Sequence, residues 1–459
     1  MIRTNAGLKP SDLSSKLGKF WKISEEKLHL IEKNYDTTNG SPVFTVRGVY
    51  TTRGWTEWTQ GFQYGSSILQ FDATGDKPML ESARRNTVRY MAPHLSHTGV
   101  HDHGFNNVST YGNLLRLMYE GKIPFDEFEK QFYVLALKIS SAVQASRWAT
   151  IRNGGHIYSF NGPHSLFVDT IRSIRSLILG HILGHVLQSE GDVRISLLER
   201  AVQHLRATAD YSVYYGEGRD IYDVRGRVAH EIIFNTKDGN FRCANSQQGY
   251  TGFSTWTRGL AWAMCGFAEQ LEWFGTLGET DLKELSGKEN NLSFMLRAAR
   301  AACDFYIDNT PADGVPYWDT GAPNLFRLGD YLSKPADPFN AFEPVDSSAA
   351  AIAAQGLLRL GKYLQNNGEP EAGDRYWQAG LTVLKTLLDE PYLSTNPEHQ
   401  GLLLHSIYHR PNGWDYIPDG SKIPYGESSM WGDYHVREAA LYLQRIINNE
   451  PYLKFFNIQ

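Results

Sequence analysis

The chain has 459 residues, of which 41% are hydrophobic and 21% charged, values typical of a folded soluble protein and not of a disordered or fibrous one. Lys and Arg total 45 against 50 Asp and Glu, and the net charge of −5 disfavours a nucleic-acid-binding protein, which usually carries a basic surplus. Three cysteines without a CxxC pair exclude a disulfide framework and favour a reducing compartment.

Helical periodicity recurs along the whole chain, and no long alternating strand pattern interrupts it. Long loops follow alternate helices, and no Pro- or Ser-rich linker divides the sequence. This organisation predicts an all-α fold in which six helical hairpins close into one (α/α)6 barrel domain over 1–459. The predicted helices are 10–33, 61–74, 78–92, 106–120, 125–147, 164–188, 194–215, 253–275, 292–308, 346–365, 371–389 and 433–448.

Within two of these helices, the segments 253–273 and 347–360 are apolar on nearly all sides, which predicts burial between neighbours. A run of alanines in the second helix would allow another helix to approach closely. Asp346 precedes this run and is a predicted N-cap, since a short carboxylate can accept hydrogen bonds from free backbone N–H groups.

No membrane span or secretion signal is predicted. The most apolar segment, 164–187, contains one aspartate and two arginines and therefore predicts a buried helix. The N-terminal residues lack the apolar core of a signal peptide. We expect a cytoplasmic protein with no membrane or nucleic-acid partner, and a periplasmic location stays open if a leader has been removed.

The loop 94–103 contains four histidines and Asp102. Such a cluster could bind a metal, but its spacing matches neither a helical HxxxH pair nor a zinc finger. We therefore expect no metal and no cofactor, and interpret the histidines as sugar-binding or helix-capping groups. Asp102 lies just before a predicted helix, so a plain N-cap is the alternative to a functional role.

Asp169 lies in the first turns of an otherwise apolar helix. A carboxylate there gains from the helix dipole, yet burial would raise its pKa unless a partner compensates. A raised pKa is what a general acid near neutral pH needs. The alternative is a buried ion pair with Arg172 or Arg175.

The segment 246–262 combines polar residues with two tryptophans at the start of a buried helix. Arg258 has no acidic neighbour in sequence, and an unpaired buried guanidinium is costly. A bound carboxylate would compensate it through paired hydrogen bonds. A salt bridge to a distant aspartate is the alternative.

Motifs along almost the whole chain resemble the unsaturated glucuronyl hydrolases, glycoside hydrolase family 88. Each motif is weak alone, but six in the family's order are specific. The resemblance implies an (α/α)6 barrel, in agreement with the helix pattern. The matching segments are 58–62 (WTQGF), 101–105 (HDHGF), 249–262 (GYTGFSTWTRGLAW), 313–319 (DGVPYWD), 346–358 (DSSAAAIAAQGLL) and 431–434 (WGDY).

The resemblance also implies roles for individual residues. Asp169 falls on the family's general acid/base carboxylate, and Asp102 on its second, assisting carboxylate. Arginines within 170–175, Leu260 in place of a usual Gln, and an additional segment 334–345 depart from the family pattern. The implied substrate-binding residues are His230, Gln248, Trp256, Arg258 and Trp262.

The implied substrate is a small oligosaccharide, left by a polysaccharide lyase, whose terminal uronic acid carries a C4=C5 double bond. Our hypothesis is that Asp169 protonates C4 and then accepts a proton from the water that adds at C5. The charge of Asp102 would raise the pKa of Asp169. His230 and Gln248 would bind the ring, a tryptophan would stack on it, and Arg258 would engage the uronate.

Three alternatives stay open. A hydrolase of unsaturated galacturonyl–rhamnose, from the sister family 105, shares the fold and the acid placement. A sugar epimerase of the (α/α)6 class would use histidine pairs and leave the two aspartates without a role. A non-catalytic carbohydrate-binding barrel would bind sugar without turnover.

Overall fold

The computed structural model describes residues 1–54 and 57–458. Its helices are α1 (Ser14–Asn34), α2 (Gln60–Thr74), α3 (Lys77–Tyr90), α4 (Ala92–Leu95), α5 (His103–Asn107), α6 (Asn113–Tyr119), α7 (Glu127–Ser146), α8 (Thr170–Ser173), α9 (Arg175–Ile182), α10 (Leu197–Ala207), α11 (Thr257–Phe274), α12 (Lys288–Asn309), α13 (Ser347–Asn366), α14 (Pro370–Leu387) and α15 (Met430–Ile447). Short antiparallel strands are β1 (Pro42–Val46), β2 (Val49–Thr52), β3 (Trp148–Ile151), β4 (Gly154–Ile157), β5 (Ser165–Phe167), β6 (Leu187–Gln188), β7 (Arg194–Ile195), β8 (Glu231–Phe234) and β9 (Phe241–Asn245).

The helices alternate between an outer and an inner position along the chain. Successive inner segments α2, α5, α8, α11, α13 and α15 contact one another, and α15 returns to α2, so the inner ring is closed. The outer helices α1, α3, α7, α12 and α14 pack against this ring, and α10 packs on α9, which follows α8 directly in the chain. The predicted (α/α)6 barrel is confirmed.

The inner wall depends on close approach between helices. A Cβ atom added at Gly356 of α13 would lie 2.8 Å from the backbone nitrogen of Cys265 in α11. The alanines of α13 are completely buried in the same wall. The predicted close packing of this small-residue helix therefore occurs against α11.

The predicted helix 164–188 is wrong at both ends. Its first residues form β5, which pairs with β8, and its last residues form β6. Only α8 and α9 are helical in between. Apolar content could not separate the buried strand from the buried helix, because both are surrounded by protein.

The inner helices begin at the same end of the barrel as the candidate site. The residues that precede α5, α8, α11 and α13 are Asp102, Asp169, Trp256 and Asp346. The positive ends of the long helices α11 and α13 therefore point toward this end, which favours anionic ligands there.

Within the described residues, no helix is both long and apolar enough to cross a membrane. One large apolar cluster runs from the N-terminal to the C-terminal helices. The assignment of 1–459 to a single domain stays a prediction, and Trp55, Thr56 and Gln459 lie outside the described residues.

Candidate active site

A pocket opens at the end of the barrel where the inner helices begin. It encloses about 500 Å3 of space between atoms. Six of the seven residues predicted as functional line it, and the remaining one, His230, lies directly behind Trp256. The lining residues are Trp58, His101, Asp102, Phe160, Asp169, Gln247, Gln248, Trp256, Arg258, Trp262, Tyr408, His409 and Trp414.

The two aspartates share one histidine. The Nε2 atom of His101 lies 3.1 Å from Oδ1 of Asp169, within hydrogen-bond distance, and 3.8 Å from Oδ1 of Asp102. All three side chains are buried, and the imidazole packs on Phe160 and Phe167. The carbonyl of His101 accepts a hydrogen bond from Gln144. These contacts fix the imidazole between the two carboxylates.

The proton equilibria of the three groups are linked. Burial by itself would raise the pKa of Asp169, but its hydrogen bond with His101 and the charge of His101 outweigh burial and hold this pKa below its usual value. Burial raises the pKa of Asp102, against the opposing charge of His101. Burial opposes the charged form of His101, but the two carboxylates outweigh it and raise the pKa of the imidazole.

The expected rise in the pKa of Asp169 is therefore wrong. We predicted that the charge of Asp102 raises the pKa of Asp169, whereas the pKa of Asp169 is lowered. The reason is that the hydrogen bond from His101 and the charge of its ring, 3.1 Å away, lower this pKa by more than burial raises it. These shifts favour a proton on His101 or Asp102 over one on Asp169.

Both alternative roles for the aspartates are wrong. The side chain of Asp102 makes no capping hydrogen bond to α5. Asp169 forms no ion pair with Arg172 or Arg175 among the described residues, because both arginines point into the barrel axis toward Glu269 and Glu438. Both carboxylates are thus available to the pocket.

Arg258 forms a salt bridge with a distant aspartate, Asp346, which is the alternative that we gave to a bound carboxylate. Its Nη1 atom donates to Oδ2 of Asp346 at 3.0 Å, and its Nη2 atom donates to Oε1 of Gln248 at 2.9 Å and to the carbonyl of Tyr408 at 2.7 Å. A further bond reaches the carbonyl of Ile407. A bound carboxylate is therefore not needed to compensate the guanidinium, and direct contact with a uronate stays a prediction.

Asp346 has two structural functions. As predicted, it caps α13 by accepting hydrogen bonds from the backbone N–H groups of Ser348 and Ala349. Its other oxygen holds Arg258, and neither side chain of the pair is more than 1% exposed. Loss of one partner would leave a buried charge unpaired, which is more costly than loss of a helix cap.

We expect Asp346→Ala to lower the free energy of unfolding by about 3–5 kcal/mol. Chemical denaturation followed by circular dichroism measures this change. Asp76→Ala is the matched control, because Asp76 caps α3 through Met79 without a buried ion pair. The control should lose about 1 kcal/mol. Equal losses in the two variants would show that Asp346 acts only as a cap.

Gln248 and His230 form one unit at the pocket wall. The Nδ1 atom of His230 accepts hydrogen bonds from the backbone N–H groups of Gln247 and Gln248, at 3.0 and 3.2 Å. Burial lowers the pKa of His230 to about 4, so the ring is neutral with its proton on Nε2. His230 therefore positions the Gln248 turn, and its predicted contact with substrate stays a prediction.

Both predicted tryptophans face the pocket, although six residues separate them. Trp256 precedes α11, and the guanidinium of Arg258 lies 4.7 Å from the centre of its ring. Trp262 lies one to two turns later and packs on Phe105 and His435. Each ring is thus supported from behind by other rings and offers a rigid apolar surface to a ligand.

The histidine cluster of 94–103 divides between the pocket and the core. His94 bonds to Gln60, and His103 bonds to Ser140. Burial lowers the pKa of both to about 4. Only His101 of the four lines the pocket. The interpretation of these histidines as sugar-binding or helix-capping groups stays a prediction.

Sequence reasoning missed several residues that line the pocket. His101 precedes Asp102 in the matching segment 101–105, and this adjacency was the signal that could have identified it. Tyr408, His409 and Trp414 come from the loop that joins α14 to α15, far along the chain from the inner helix α13. The high density of aromatic and His residues in that loop was the only hint of its place in the site.

Comparison with known proteins identifies relatives with one activity. The unsaturated glucuronyl hydrolase of Formosa agariphila is 26% identical over 399 residues, covering 85% of this chain and 81% of that protein. That of Bacillus sp. strain GL1 is 31% identical over 216 residues, covering 47% of this chain and 46% of that protein. The chain is a relative of the unsaturated glucuronyl hydrolases. The resemblance predicted from the motifs is confirmed.

Other comparisons agree. The unsaturated chondroitin disaccharide hydrolase of Streptococcus agalactiae is 23% identical over 399 residues, covering 86% of this chain and 84% of that protein. Among solved structures, a heparin-specific unsaturated glucuronyl hydrolase has a TM-score of 0.70 at 20% identity, covering 96% of this chain and 99% of the other. The structure of the enzyme from Bacillus sp. GL1 has a TM-score of 0.68 at 21% identity, covering 95% and 99%. No family model matches the chain.

Proposed function

We propose that the protein removes a terminal 4,5-unsaturated uronic acid from lyase-generated oligosaccharides. The predicted enzyme class, a glycosidase of the unsaturated glucuronyl hydrolase type, is confirmed by the curated relatives. The observation that carries the detailed proposal is the placement of His101 between Asp102 and Asp169 in an aromatic-lined pocket. No cofactor takes part in this proposal.

The double bond of such a substrate is an enol ether, which reacts by protonation and hydration. Asp169 donates a proton to C4, and the positive charge that develops at C5 is shared with the ring oxygen. Water adds at C5 and returns a proton to Asp169. The resulting hemiketal opens and expels the leaving sugar. One carboxyl group can thus serve first as acid and then as base.

His101 explains how a carboxyl with a lowered pKa can begin as the acid. The uronate brings a negative charge into an enclosed pocket, and such a charge favours the protonated form of Asp169. The proton need only cross the 3.1 Å hydrogen bond from His101. Asp102 stabilises the charged imidazole before this transfer. The pair of carboxyls and the imidazole titrate as one unit.

Local groups attract the anionic substrate despite the net charge of −5. The beginnings of α11 and α13 place positive dipole ends near the pocket. Arg258 also lines the pocket, where Asp346 compensates its charge and leaves its planar group to orient a bound sugar. The aromatic lining then holds the sugar faces.

The decisive experiment is a screen of unsaturated disaccharides from chondroitin, hyaluronan, heparin, gellan, ulvan and pectin. Loss of the ultraviolet absorbance of the conjugated acid reports turnover directly. Turnover of any glucuronyl substrate supports the proposal. Exclusive turnover of the pectin-derived rhamnose substrate would favour the sister activity, and interconversion of free sugars would favour an epimerase.

A second cleft adjoins the pocket and suits the leaving sugar. It holds about 880 Å3 of space between atoms, part of it open to solvent, and is lined by three cations, Arg327, Arg410 and Lys422. His409 lines the pocket and the next residue, Arg410, lines the cleft, so the two cavities are neighbours. The Nε atom of Arg410 is buried without a hydrogen-bond partner among the described residues. Arg410 also interacts with the buried carboxylate of Asp415, so Arg327 and Lys422 supply most of the positive charge of the cleft.

The cleft lining holds one carboxylate, Glu343, against its three cations, so a net positive charge remains. Glu343 accepts hydrogen bonds from the indole of Trp318 at 2.9 Å and from the backbone N–H group of Asn324 at 2.8 Å. Glu343 belongs to the additional segment 334–345, which therefore shapes the cleft. We infer that the preferred leaving sugar carries a sulfate or carboxylate group.

We expect Arg410→Ala combined with Lys422→Ala to raise KM for a sulfated disaccharide about tenfold, the equivalent of one charged hydrogen bond. KM for the matched unsulfated disaccharide should stay unchanged. Steady-state kinetics on both substrates measure the difference, with the exposed Lys33→Ala as control. Equal changes on both substrates would contradict charge recognition.

We assign the reaction to the cytoplasm. Cys243, Cys265 and Cys303 are free thiols, and two of them are buried in the helical core. Free thiols are typical of a reducing compartment. Cell fractionation with an antibody to the protein tests this assignment.

A further inference from the structure

The outer helix α7 carries an apolar stripe that faces solvent. Phe128 is 83% exposed and Leu135 56%, although both are large apolar residues. Phe132 and Ile139 continue the stripe at a spacing of four, three and four residues, which places all four side chains on one helical face. The opposite face of α7 packs on α9, which follows the inner segment α8.

Two further rings extend the stripe at the start of α7. Phe125 is 56% exposed, and its ring contacts that of Tyr119, the last residue of α6, at 6.4 Å. At about 200 Å2 for a large side chain, the six residues expose roughly 600 Å2 of apolar surface. This is at the upper limit for the largest patch of a typical monomer. Isolated exposed apolar residues elsewhere in the chain need no such explanation.

The flank of the stripe has opposite charges at its two ends. Glu127 lies at the start of α7 and Lys138 near its end, eleven residues apart and therefore on the same side of the helix. Glu127 contacts Lys130 and Gln131 of its own helix, and exposed pairs of this kind contribute little. No salt bridge of the described residues involves Lys138.

We propose that this face binds a second copy of the chain, with the two α7 helices antiparallel across a two-fold axis near Phe132. Such an axis places equal flanks together, so that Glu127 of each copy meets Lys138 of the other. Two faces of roughly 600 Å2 bury about 1,200 Å2, which exceeds the ~1,000 Å2 expected of a specific interface. The self-complementary charge favours a copy of this chain over another partner.

Light scattering coupled to size-exclusion chromatography tests the proposal. We expect the wild-type protein to show twice the chain mass of 51.9 kDa, and Phe128→Glu to show the mass of one chain. Ile221→Glu is the control, because Ile221 is 91% exposed on a different loop, and it should remain dimeric. Both variants should keep kcat/KM within twofold, which shows that they are folded.

A charge exchange distinguishes the antiparallel arrangement from unspecific apolar contact. Glu127→Lys and Lys138→Glu should each weaken the dimer at least tenfold, and the double variant should restore it. Equimolar mixing of the two single variants should form a heterodimer. A wild-type mass of one chain at 50 μM in light scattering would overturn the proposal. Binding of the wild-type protein to lipid vesicles without formation of a dimer would overturn it as well. Failure of both restoration experiments would overturn the antiparallel arrangement.

Discussion

Replacement of Asp169 by Asn is expected to lower kcat about 10²–10⁴-fold, the usual contribution of a positioned acid/base group. The amide keeps the size of the carboxyl group but can neither deliver a proton to C4 nor accept one from water. Binding of an unsaturated disaccharide should persist, because the aromatic lining and Gln248 are unchanged. Ultraviolet turnover assays and quenching of tryptophan fluorescence measure the two effects separately.

Asp313→Asn is the matched control for this variant. Burial raises the pKa of Asp313 to about 6, so it is another carboxyl with a perturbed environment, but it does not line the pocket. Its replacement should leave kcat within threefold. Near-normal turnover of Asp169→Asn, or equal losses in the two variants, would remove Asp169 from the role of acid/base.

The second large effect concerns His101. His101→Gln should lower kcat at neutral pH at least tenfold, because the group that holds the proton next to Asp169 is lost. The wild-type pKa of His101 lies above its ordinary value, about 6.5, so activity of the wild-type protein should fall only above that pH. In the variant the proton must be held by carboxyls alone, and the alkaline limb of the kcat/KM profile should move to lower pH.

His103→Gln is the control for this pH profile. His103 lies two residues further along and is equally buried, but it bonds to Ser140 and to the carbonyl of His97 and does not line the pocket. The alkaline limb of the kcat/KM profile of His103→Gln should coincide with that of the wild-type protein. A purely structural role of His101 would lower kcat without any movement of the limb, and that result would contradict proton sharing.

Much of the fold followed from the sequence because its signals are local. A periodicity of 3.6 residues in apolar side chains marks each long helix, and the regular alternation of helices and loops predicts the ring. The N-cap of α13 was predictable because Asp346 and the N–H groups it binds are neighbours in sequence. The prediction of one helix over 164–188 was wrong because burial on all sides removes the periodicity that distinguishes a strand from a helix.

The resemblance to the family implied that Asp102 and Asp169 share one site, and the structure places both at the starts of inner helices. A closed ring brings such starts to one end. The protonation pattern did not follow, because it depends on the distances from His101 to each carboxyl, 3.1 and 3.8 Å, which no spacing in sequence encodes.

The sequence by itself therefore determined the helical ring, the two carboxyls and the class of chemistry. The tertiary structure decided what each charged group pairs with. Arg258 meets Asp346, 88 positions away, and Tyr408 and Trp414 enter the pocket from a loop beyond α14. The physical reason is that helix formation and capping are local, whereas compensation of a buried charge depends on whichever group the closed ring brings within a few ångströms.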